Sequence, residues 1–315
     1  MSSTHSKRND SINSFTDIVR VIGRGATLGR TLTQAEALQA AQWLLDGQVS
    51  DVQLGAFLMM LRLRTESPEE AAGLAEGLRL GMSAPTHLKA DIDWPVYAGK
   101  RRQLPWFLLA SLELAKQGNR VVMHGAVGGD SDRLYLEPVI RAMGLPIADN
   151  WQQAEAALNE HNWVYLRMES FFPQLVGWLD LKQTLGLRSV MHTVARMLNP
   201  LNASLSIRGV FHQEYVNLHA QVAKLQGQGR VLVIRGDGGE AEVSADKRIP
   251  MVDIDGSAIN EFSSQAIEGI TRPIAEDLSI DAVAQRLLVV LNGQTQGEDY
   301  GRLTIQQTLI SFKAV

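Results

Sequence analysis

Three helix-start signals between residues 33 and 70 constrain the fold of this chain more than any other feature of its sequence. In each, a hydroxyl residue is followed three positions later by Glu or Gln: Thr33 and Glu36, Ser50 and Gln53, Ser67 and Glu70. In such a capping box, the two side chains satisfy backbone N–H groups in the first turn of a helix. Apolar residues recur at helical spacing after each box. The sequence therefore predicts a small helical domain over residues 15–85.

From about residue 91, short runs of β-branched and aromatic residues alternate with helical patterns. The predicted strands are Val121–His124, Trp163–Leu166, Leu205–Val210 and Val231–Arg235. Strands that alternate with helices favour a mostly parallel central sheet covered on both faces. We therefore predict an α/β fold, with a larger α/β domain over residues 90–315. The segment 172–198 is predicted to be helical and to join the amino-terminal domain, and two closing helices are predicted at 281–291 and 302–312.

Composition excludes several classes of protein. The 315 residues include no cysteine, which excludes disulfides and thiolate metal sites and is typical of a reducing compartment. No apolar run approaches the roughly 18 residues that a membrane span requires. Residues 1–14 are polar and are predicted to form a disordered arm, not a signal peptide. We therefore expect a cytoplasmic protein with no membrane partner.

The net charge of −4 argues against a nucleic-acid partner, because nucleic-acid-binding domains are usually basic overall. Binding of a polyanion depends on the local field, however, and a modest net charge is compatible with a basic stripe on one surface. The sum of charges lowers the expectation of a polyanion site without excluding one.

Several strings along the chain carry a family resemblance. They are Gly29-Arg-x-Leu-Thr-x-x-Glu-Ala37, Gln53-Leu-Gly-Ala-Phe-Leu-Met-Met-Leu-Arg62, Leu185-Gly-Leu-Arg-Ser189, Leu198-Asn-Pro200 and Arg235-Gly-Asp-Gly-Gly239. Together they resemble the glycosyltransferase family 3 proteins, which include anthranilate phosphoribosyltransferase and the pyrimidine nucleoside phosphorylases. The resemblance covers about residues 15 to 315. It implies a helical domain beside an α/β domain, and a homodimer formed through the helical domain.

The phosphate-binding parts depart from that family. Its enzymes cradle pyrophosphate in a Gly-Thr-Gly-Gly-Asp-Gly loop, whose glycines let backbone N–H groups approach the phosphates. Here the corresponding segment is Tyr97-Ala98-Gly99-Lys100-Arg101-Arg102, which keeps one glycine and carries three cations. Where the enzymes hold magnesium with adjacent Asp and Glu, this chain has Glu240, then Ala241, with Glu242 one residue late. Phosphoribosyl transfer needs its leaving group neutralised by metal and backbone donors. We therefore predict no catalytic residues and no resident cofactor, with Mg²⁺ expected only if transferase activity survives.

The same departures resemble the YbiB-like branch of this superfamily, whose members are described as dimeric, non-sequence-specific nucleic-acid binders. The shared strings are Tyr97-x-Gly-Lys-Arg-Arg-Gln103, Arg188-Ser-x-x-His-Thr193, and Gly236-x-x-Gly-Glu240. The resemblance implies a homodimer that binds single-stranded DNA or RNA.

The candidate phosphate-binding residues are cations and one histidine: Lys100, Arg101, Arg102, Arg188, His192, Arg196, Arg208 and Arg235. Three of them, Arg188, His192 and Arg196, recur every four residues, which places them on one face of a helix. Arg208 and Arg235 end predicted strands, where α/β sheets bind ligands. Arginine suits this role because its planar guanidinium pairs with two phosphate oxygens.

Other interpretations of these residues remain open. The cationic loop is also compatible with a solvated loop, and the arginine stripe with internal salt bridges. Tyr97 and Trp106 are candidates for stacking on bases, although Trp106 also fits an apolar core. His212 and His219 lack carboxylates at metal-ligand spacing, so no metal site is predicted.

Three hypotheses about function follow. The first is a dimeric, catalytically degenerate phosphoribosyltransferase-like protein that binds single-stranded DNA or RNA without sequence preference. The alternative is an enzyme of the anthranilate phosphoribosyltransferase type, transferring a phosphoribosyl or other glycosyl group. The third is a scaffold protein whose basic crevice pairs internally.

Overall fold

The computed structural model describes residues 11–227, 229–275, 277–294 and 297–313. The first ten residues of the predicted arm at 1–14 lie outside the described residues. Helix α1 begins directly after that arm, at Phe15.

The amino-terminal part of the chain is helical, as predicted. Its helices are α1 Phe15–Gly23, α2 Gly25–Leu28, α3 Gln34–Leu45, α4 Asp51–Arg64 and α5 Pro68–Gly81. All three predicted capping boxes are formed, with Thr33, Ser50 and Ser67 as the capping residues of α3, α4 and α5. Local side-chain chemistry therefore sets where these helices begin.

Helices α3 and α5 pack at unusually close range because α5 presents glycines at four-residue spacing. A Cβ atom on Gly73 would lie 2.2 Å from the Gln34 carbonyl oxygen, and one on Gly77 would lie 2.6 Å from the Ala41 Cβ atom. Only glycine fits these positions without displacing α3.

A mostly parallel sheet forms the centre of the second part. Its strands are β1 Ile92–Pro95, β2 Val121–Gly125, β3 Ile147–Ala148, β4 Trp163–Arg167, β5 Leu205–Gly209, β6 Arg230–Ile234, β7 Pro250–Asp255 and β8 Ala258–Ser263. Within the described residues, their order is β3-β4-β2-β1-β5-β6-β7-β8. Neighbours from β3 to β6 run parallel, whereas β7 and β8 form an antiparallel hairpin at one edge. The predicted α/β class and parallel sheet are confirmed, and the edge hairpin is an addition to the prediction.

The remaining helices flank this sheet or return to the amino-terminal helices. They are α6 Trp106–Lys116, α7 Leu136–Ala142, α8 Trp151–His161, α9 Met168–Phe171, α10 Pro173–Leu185, α11 Met191–Val194, α12 Gln213–Gln226, α13 Ile280–Leu291 and α14 Asp299–Lys313. A 3₁₀ turn, Ala195–Met197, follows α11. Apolar residues of α10 and α11, such as Leu175 and Val194, share one core with Phe57 and Leu58 of α4.

Alternate strand residues bury opposite faces of the sheet. Met123 and Ile207 pack in the core beneath α6 and α13, whereas Val122 packs with α8 and Val233 with α12. Both faces are therefore covered, as parallel sheets require. Across the described ranges, no helix combines the length and apolarity needed to cross a membrane.

Candidate functional site

A cavity of about 540 Å³ opens at the carboxyl ends of β1 and β5. The chain leaves β1 toward β2 on one side and later returns to β5 on the other, so the loops after β1 and β5 diverge at this point. Ligands bind at such switch points in open α/β sheets. The wall is strongly cationic and includes Arg62, Lys100, Arg101, Arg133, Arg188, Arg196 and Arg272.

The loop after β1 is closed by a carboxylate from the chain itself. Glu240 Oε1 accepts hydrogen bonds from the backbone N–H groups of Ala98 and Gly99, each at 2.7 Å. Gly99 has φ 68°, and a Cβ atom there would lie 3.1 Å from Arg133 Cβ, so the turn requires glycine. Burial raises the pKa of Glu240, against the opposing effects of Arg196 and the two loop N–H groups. Backbone donors that would suit a phosphate oxygen are thus occupied internally.

Lys100 is buried in an ion pair, which corrects its prediction as a phosphate contact. It borders the cavity, but its side chain is 2% exposed and Nζ donates to Glu242 Oε1 at 2.6 Å. The other oxygen of Glu242 accepts from the Phe107 backbone N–H at 2.9 Å, at the start of α6. Lys100 therefore holds the loop against α6, and its charge is already neutralised.

The two arginines that follow Lys100 are exposed. Arg101 lines the cavity, with its side chain 57% exposed and Nη2 2.7 Å from Asp132 Oδ2. Arg102 adopts φ 55° and lies outside the cavity wall. Of the predicted cationic loop, Arg101 is the residue that presents its charge to the cavity.

Arg188, His192 and Arg196 all line the cavity, but they do not share one helix as predicted. The left-handed Gly186 ends α10, and α11 begins only at Met191. Arg188 therefore lies in the connecting segment, with Nη2 3.8 Å from Asp130 Oδ2. His192 and Arg196 lie four residues apart in the continuous stretch of α11 and the 3₁₀ turn, whereas Arg188 reaches the cavity from outside that stretch.

Arg208 and Arg235, predicted as strand-end contacts, lie outside the cavity wall; burial contradicts the prediction for Arg208, whereas the prediction for Arg235 is untested. Arg208 is within β5 and fully buried, where its guanidinium donates to Ser206 Oγ at 3.2 Å and to Gln226 Oε1 at 3.1 Å. Arg235 is exposed and donates from Nε to the Phe211 carbonyl at 3.3 Å. Lys100 and Arg208 therefore behave as the scaffold hypothesis expects, since their side chains pair with groups inside the protein.

Two cavity arginines keep their charge without a carboxylate. In the described part of the chain, neither Arg62 nor Arg196 has an ion-pair partner. Arg62 Nη1 donates to Tyr215 Oη at 2.8 Å, and Arg196 Nη1 donates to the His192 carbonyl. Both hydrogen-bond partners are neutral acceptors, so neither guanidinium charge is neutralised by a direct ion pair, although Glu240 acts on Arg196 from a distance.

The arginines of the cavity wall lie close enough to repel one another. Burial, followed by the neighbouring charges of Arg188 and Arg101, lowers the pKa of Arg133. Burial also lowers the pKa of Arg196, and repulsion from Arg188 and Arg133 adds to it, although Glu240 opposes the shift. Like charges gathered in this way favour an anionic ligand, which would relieve their repulsion.

Two histidines of the cavity, His192 and His219, are neutral at pH 7. Burial, with repulsion from Arg196 and Arg188, lowers the pKa of His192 to about 3. Burial, with repulsion from Arg208 and Arg196, holds the pKa of His219 well below its ordinary value. His192 was predicted to contribute with the cations, but it offers hydrogen bonds and no charge.

Acid is expected to destabilise the protein through these histidines. An unfolded histidine has a pKa of about 6.5, above the folded pKa of His219 and His192. Below pH 6.5, the unfolded chain therefore binds protons that the folded chain does not. The free energy of unfolding then falls by about 1.4 kcal/mol per pH unit for a buried group such as His219. Glu240 and Asp180 act in the opposite direction, because burial raises the folded pKa of both carboxyl groups.

Urea unfolding at about pH 7 and about pH 5 checks this expectation. His219→Gln should reduce the dependence of the unfolding free energy on pH, whereas His161→Gln, at an exposed position, should leave it unchanged. Equal unfolding free energies at the two pH values in the wild type would contradict the assignment of neutral buried histidines.

Sequence reasoning missed the aromatic part of the cavity. Phe211, His212 and Tyr215 line it, and Phe211 is 55% exposed. Tyr97, predicted to stack on bases, is instead buried and hydrogen-bonded through its hydroxyl to His124 Nδ1 at 2.9 Å. Trp106 is core. The position of Phe211 directly after β5 was the available signal, since ligands meet α/β sheets at strand ends.

Carboxylates near the cavity are engaged by cations. Asp237, on the 3₁₀ turn Asp237–Gly239, pairs with Lys247 and Arg272. Over the residues that the structure describes, no group of three or more histidine or acidic side chains is placed to hold a metal ion.

Comparison with known proteins gives this geometry a family context. Residues 17–80 match the helical bundle domain of the glycosyl transferase family, and residues 107–311 match its α/β domain. The uncharacterized protein YbiB of Escherichia coli K12 is 30% identical over 245 residues, which cover 76% of each chain. An anthranilate phosphoribosyltransferase from Nitratidesulfovibrio vulgaris is 27% identical over 292 residues, covering 88% of this chain and 83% of that one.

Solved structures share the fold. Anthranilate phosphoribosyltransferase from Thermus thermophilus superposes with a TM-score of 0.74 at 23% identity, covering 95% of this chain and 87% of that chain. The Saccharomyces cerevisiae enzyme, in complex with PRPP (phosphoribosyl pyrophosphate) and Mg, superposes with a TM-score of 0.69 at 16% identity. The superposition covers 95% of this chain and 93% of that chain. These likenesses confirm the predicted architecture of a helical domain beside an α/β domain.

Proposed function

Because the chain belongs to the YbiB-like branch of glycosyl transferase family 3, we propose that it binds single-stranded DNA or RNA and has lost phosphoribosyl transfer. The observation that carries this proposal is the position of Glu240, whose carboxylate accepts the loop N–H groups of Ala98 and Gly99. The backbone N–H groups that would bind a phosphate are thus occupied by the protein's own carboxylate. The arginines of the neighbouring cavity remain accessible to an external polyanion.

The residues of this chain do not fit the magnesium and PRPP that the yeast structure contains. A pyrophosphate oxygen would have to displace Glu240 from the loop. A metal ion would have to displace Lys100 from Glu242, whose other oxygen accepts from Phe107. The transferase alternative therefore requires a rearrangement of buried, mutually satisfied groups, which costs several kcal/mol.

Phosphate contacts from the cavity arginines support binding without sequence preference. Arg101, Arg188 and Arg196 line one wall, and a guanidinium pairs with any phosphate along a strand. Each such contact releases counterions, so binding is salt-dependent.

We further propose that two chains associate through the helical domain and join their cavities into one longer track. Exposed apolar side chains on α4 and α5 support this arrangement: Val52 is 83% exposed, Leu63 is 81% exposed and Leu80 is 54% exposed. A long strand then spans both cavities, which a mononucleotide does not. The absence of cysteine supports a cytoplasmic setting for this binding.

A pair of titrations tests the proposed function. Fluorescence anisotropy with a labelled single strand of about 30 nucleotides should show saturable binding at low salt. Calorimetry with PRPP and magnesium should show none. Saturable binding of PRPP with magnesium, without binding of the strand, would favour the transferase alternative instead.

A further inference from the structure

Phe211 is a large apolar side chain whose exposure is not explained by core packing. It is 55% exposed, follows β5 directly and lines the cationic cavity. Its ring meets His212 edge to face, with centroids 4.9 Å apart and an interplanar angle of 87°. The Phe211 carbonyl is held by Arg235, and its backbone N would lie 3.9 Å from a Cβ atom on Gly239. An aromatic face is thus presented at the edge of an anion-attracting cavity.

Polar atoms deeper in the same cavity lack partners. Ser189 is 5% exposed and His219 is 1% exposed, and both line the cavity. Ser189 Oγ, His219 Nδ1 and His192 Nδ1 have no hydrogen-bond partner within the described ranges. Buried polar atoms without partners are costly, so a ligand that supplies matching donors and acceptors is favoured here.

The chemistry of this inner zone differs from that of the wall. Burial and nearby arginines lower the pKa of His192 to about 3 and hold the pKa of His219 well below its ordinary value, so both rings are neutral at pH 7. Each neutral imidazole offers one donor and one acceptor, and a serine hydroxyl offers both. Neutral donors and acceptors suit the edge of a nucleobase, whereas the arginines suit phosphates.

Resting on the proposed function, we propose that the cavity takes in a nucleobase, which stacks on Phe211 and turns its edge toward Ser189 and His219. Arg101 and Arg188 then hold the flanking phosphates. The volume of about 540 Å³ falls among the small-molecule sites of about 300–1,000 Å³. A base can enter only after leaving its duplex partner, so the cavity selects single strands over duplexes.

Two strands of equal length and charge test this inference on the wild-type protein: one carries bases, and the other consists of abasic sites. Base stacking on an aromatic side chain is worth about 5- to 150-fold in affinity, so the base-bearing strand should bind more tightly by a factor in this range. Phe211 is exposed, so variants at this position are expected to fold. Phe211→Ala should narrow the difference in affinity between the base-bearing and the abasic strand, and Phe211→Tyr, which keeps a ring, should preserve that difference. Ser189→Ala, which loses a donor to the base edge, should also narrow it.

The outcomes separate this inference from the proposed function. Equal affinity of the two strands for the wild type would overturn base entry and leave phosphate binding intact. An undiminished preference for bases in Phe211→Ala would overturn the assigned stacking site. Failure of both strands to bind would overturn the inference together with the proposed function.

Discussion

Alanine at both Arg101 and Arg188 is expected to weaken binding of a single strand about 100-fold, taking about 1.5 kcal/mol for each charged hydrogen bond lost. Both side chains line the cavity, and each is at least one-third exposed. Their carboxylate partners are the exposed Asp132 and the shared Asp130, so their removal leaves no buried charge unpaired. The double variant should therefore bind the strand more weakly, while its free energy of unfolding stays close to that of the wild type.

The dependence on salt gives this variant a second readout. Each phosphate contact to a single strand contributes about 0.7 to the log–log slope, so losing two contacts should reduce the slope by about 1.4. A matched control replaces Arg20 and Arg141, which are exposed and ion-paired but lie outside the cavity wall. Equal affinities of the two double variants would mean that the strand binds elsewhere.

Lys100→Ala is expected to lower the free energy of unfolding by about 3–5 kcal/mol, the usual cost of breaking a buried ion pair. The side chains of Lys100 and Glu242 are 2% and 1% exposed, so the variant leaves a carboxylate buried without its cation. Arg101→Ala, at the next residue, breaks an exposed pair and should cost less than about 1 kcal/mol. Chemical unfolding of the two single variants measures the contrast.

A double variant identifies the cause of that loss. Lys100→Met combined with Glu242→Gln removes both charges and keeps an acceptor for the Phe107 N–H group, so it should recover much of the stability lost by Lys100→Ala. If Lys100→Ala unfolds like the wild type but binds the strand poorly, Lys100 is a ligand contact and the burial assigned to it is wrong.

The sequence predicted best what depends on neighbours along the chain. The capping boxes at Thr33, Ser50 and Ser67 need only the residue three positions later, and each is formed. The alternation of strands and helices likewise gave the parallel sheet. The hairpin of β7 and β8 was missed, although its two-residue loop, Gly256-Ser257, is a recognised turn signal and Gly256 has φ 57°.

The site was predicted less well because its contacts are distant in sequence. The partner of Lys100 lies 142 residues later, and local spacing gives no indication that a loop cation will be buried there. Arg62 ends a family string on α4 but was not predicted as a ligand contact, and Arg272 follows the edge hairpin, away from any string used in the sequence analysis. Helical spacing also grouped Arg188 with Arg196 for the wrong reason, since α10 ends at Gly186 and the next helix begins only at Met191, after Arg188.

The strand titration, repeated on the wild-type protein from about 50 mM to about 200 mM salt, tests polyanion binding most directly. With contacts from at least Arg101, Arg188 and Arg196, the logarithm of the association constant should fall linearly with the logarithm of salt concentration, with a slope of about −2 or steeper. Absence of binding at the lowest salt, or an affinity that does not change with salt, would contradict a cavity that holds a nucleic acid by its phosphates.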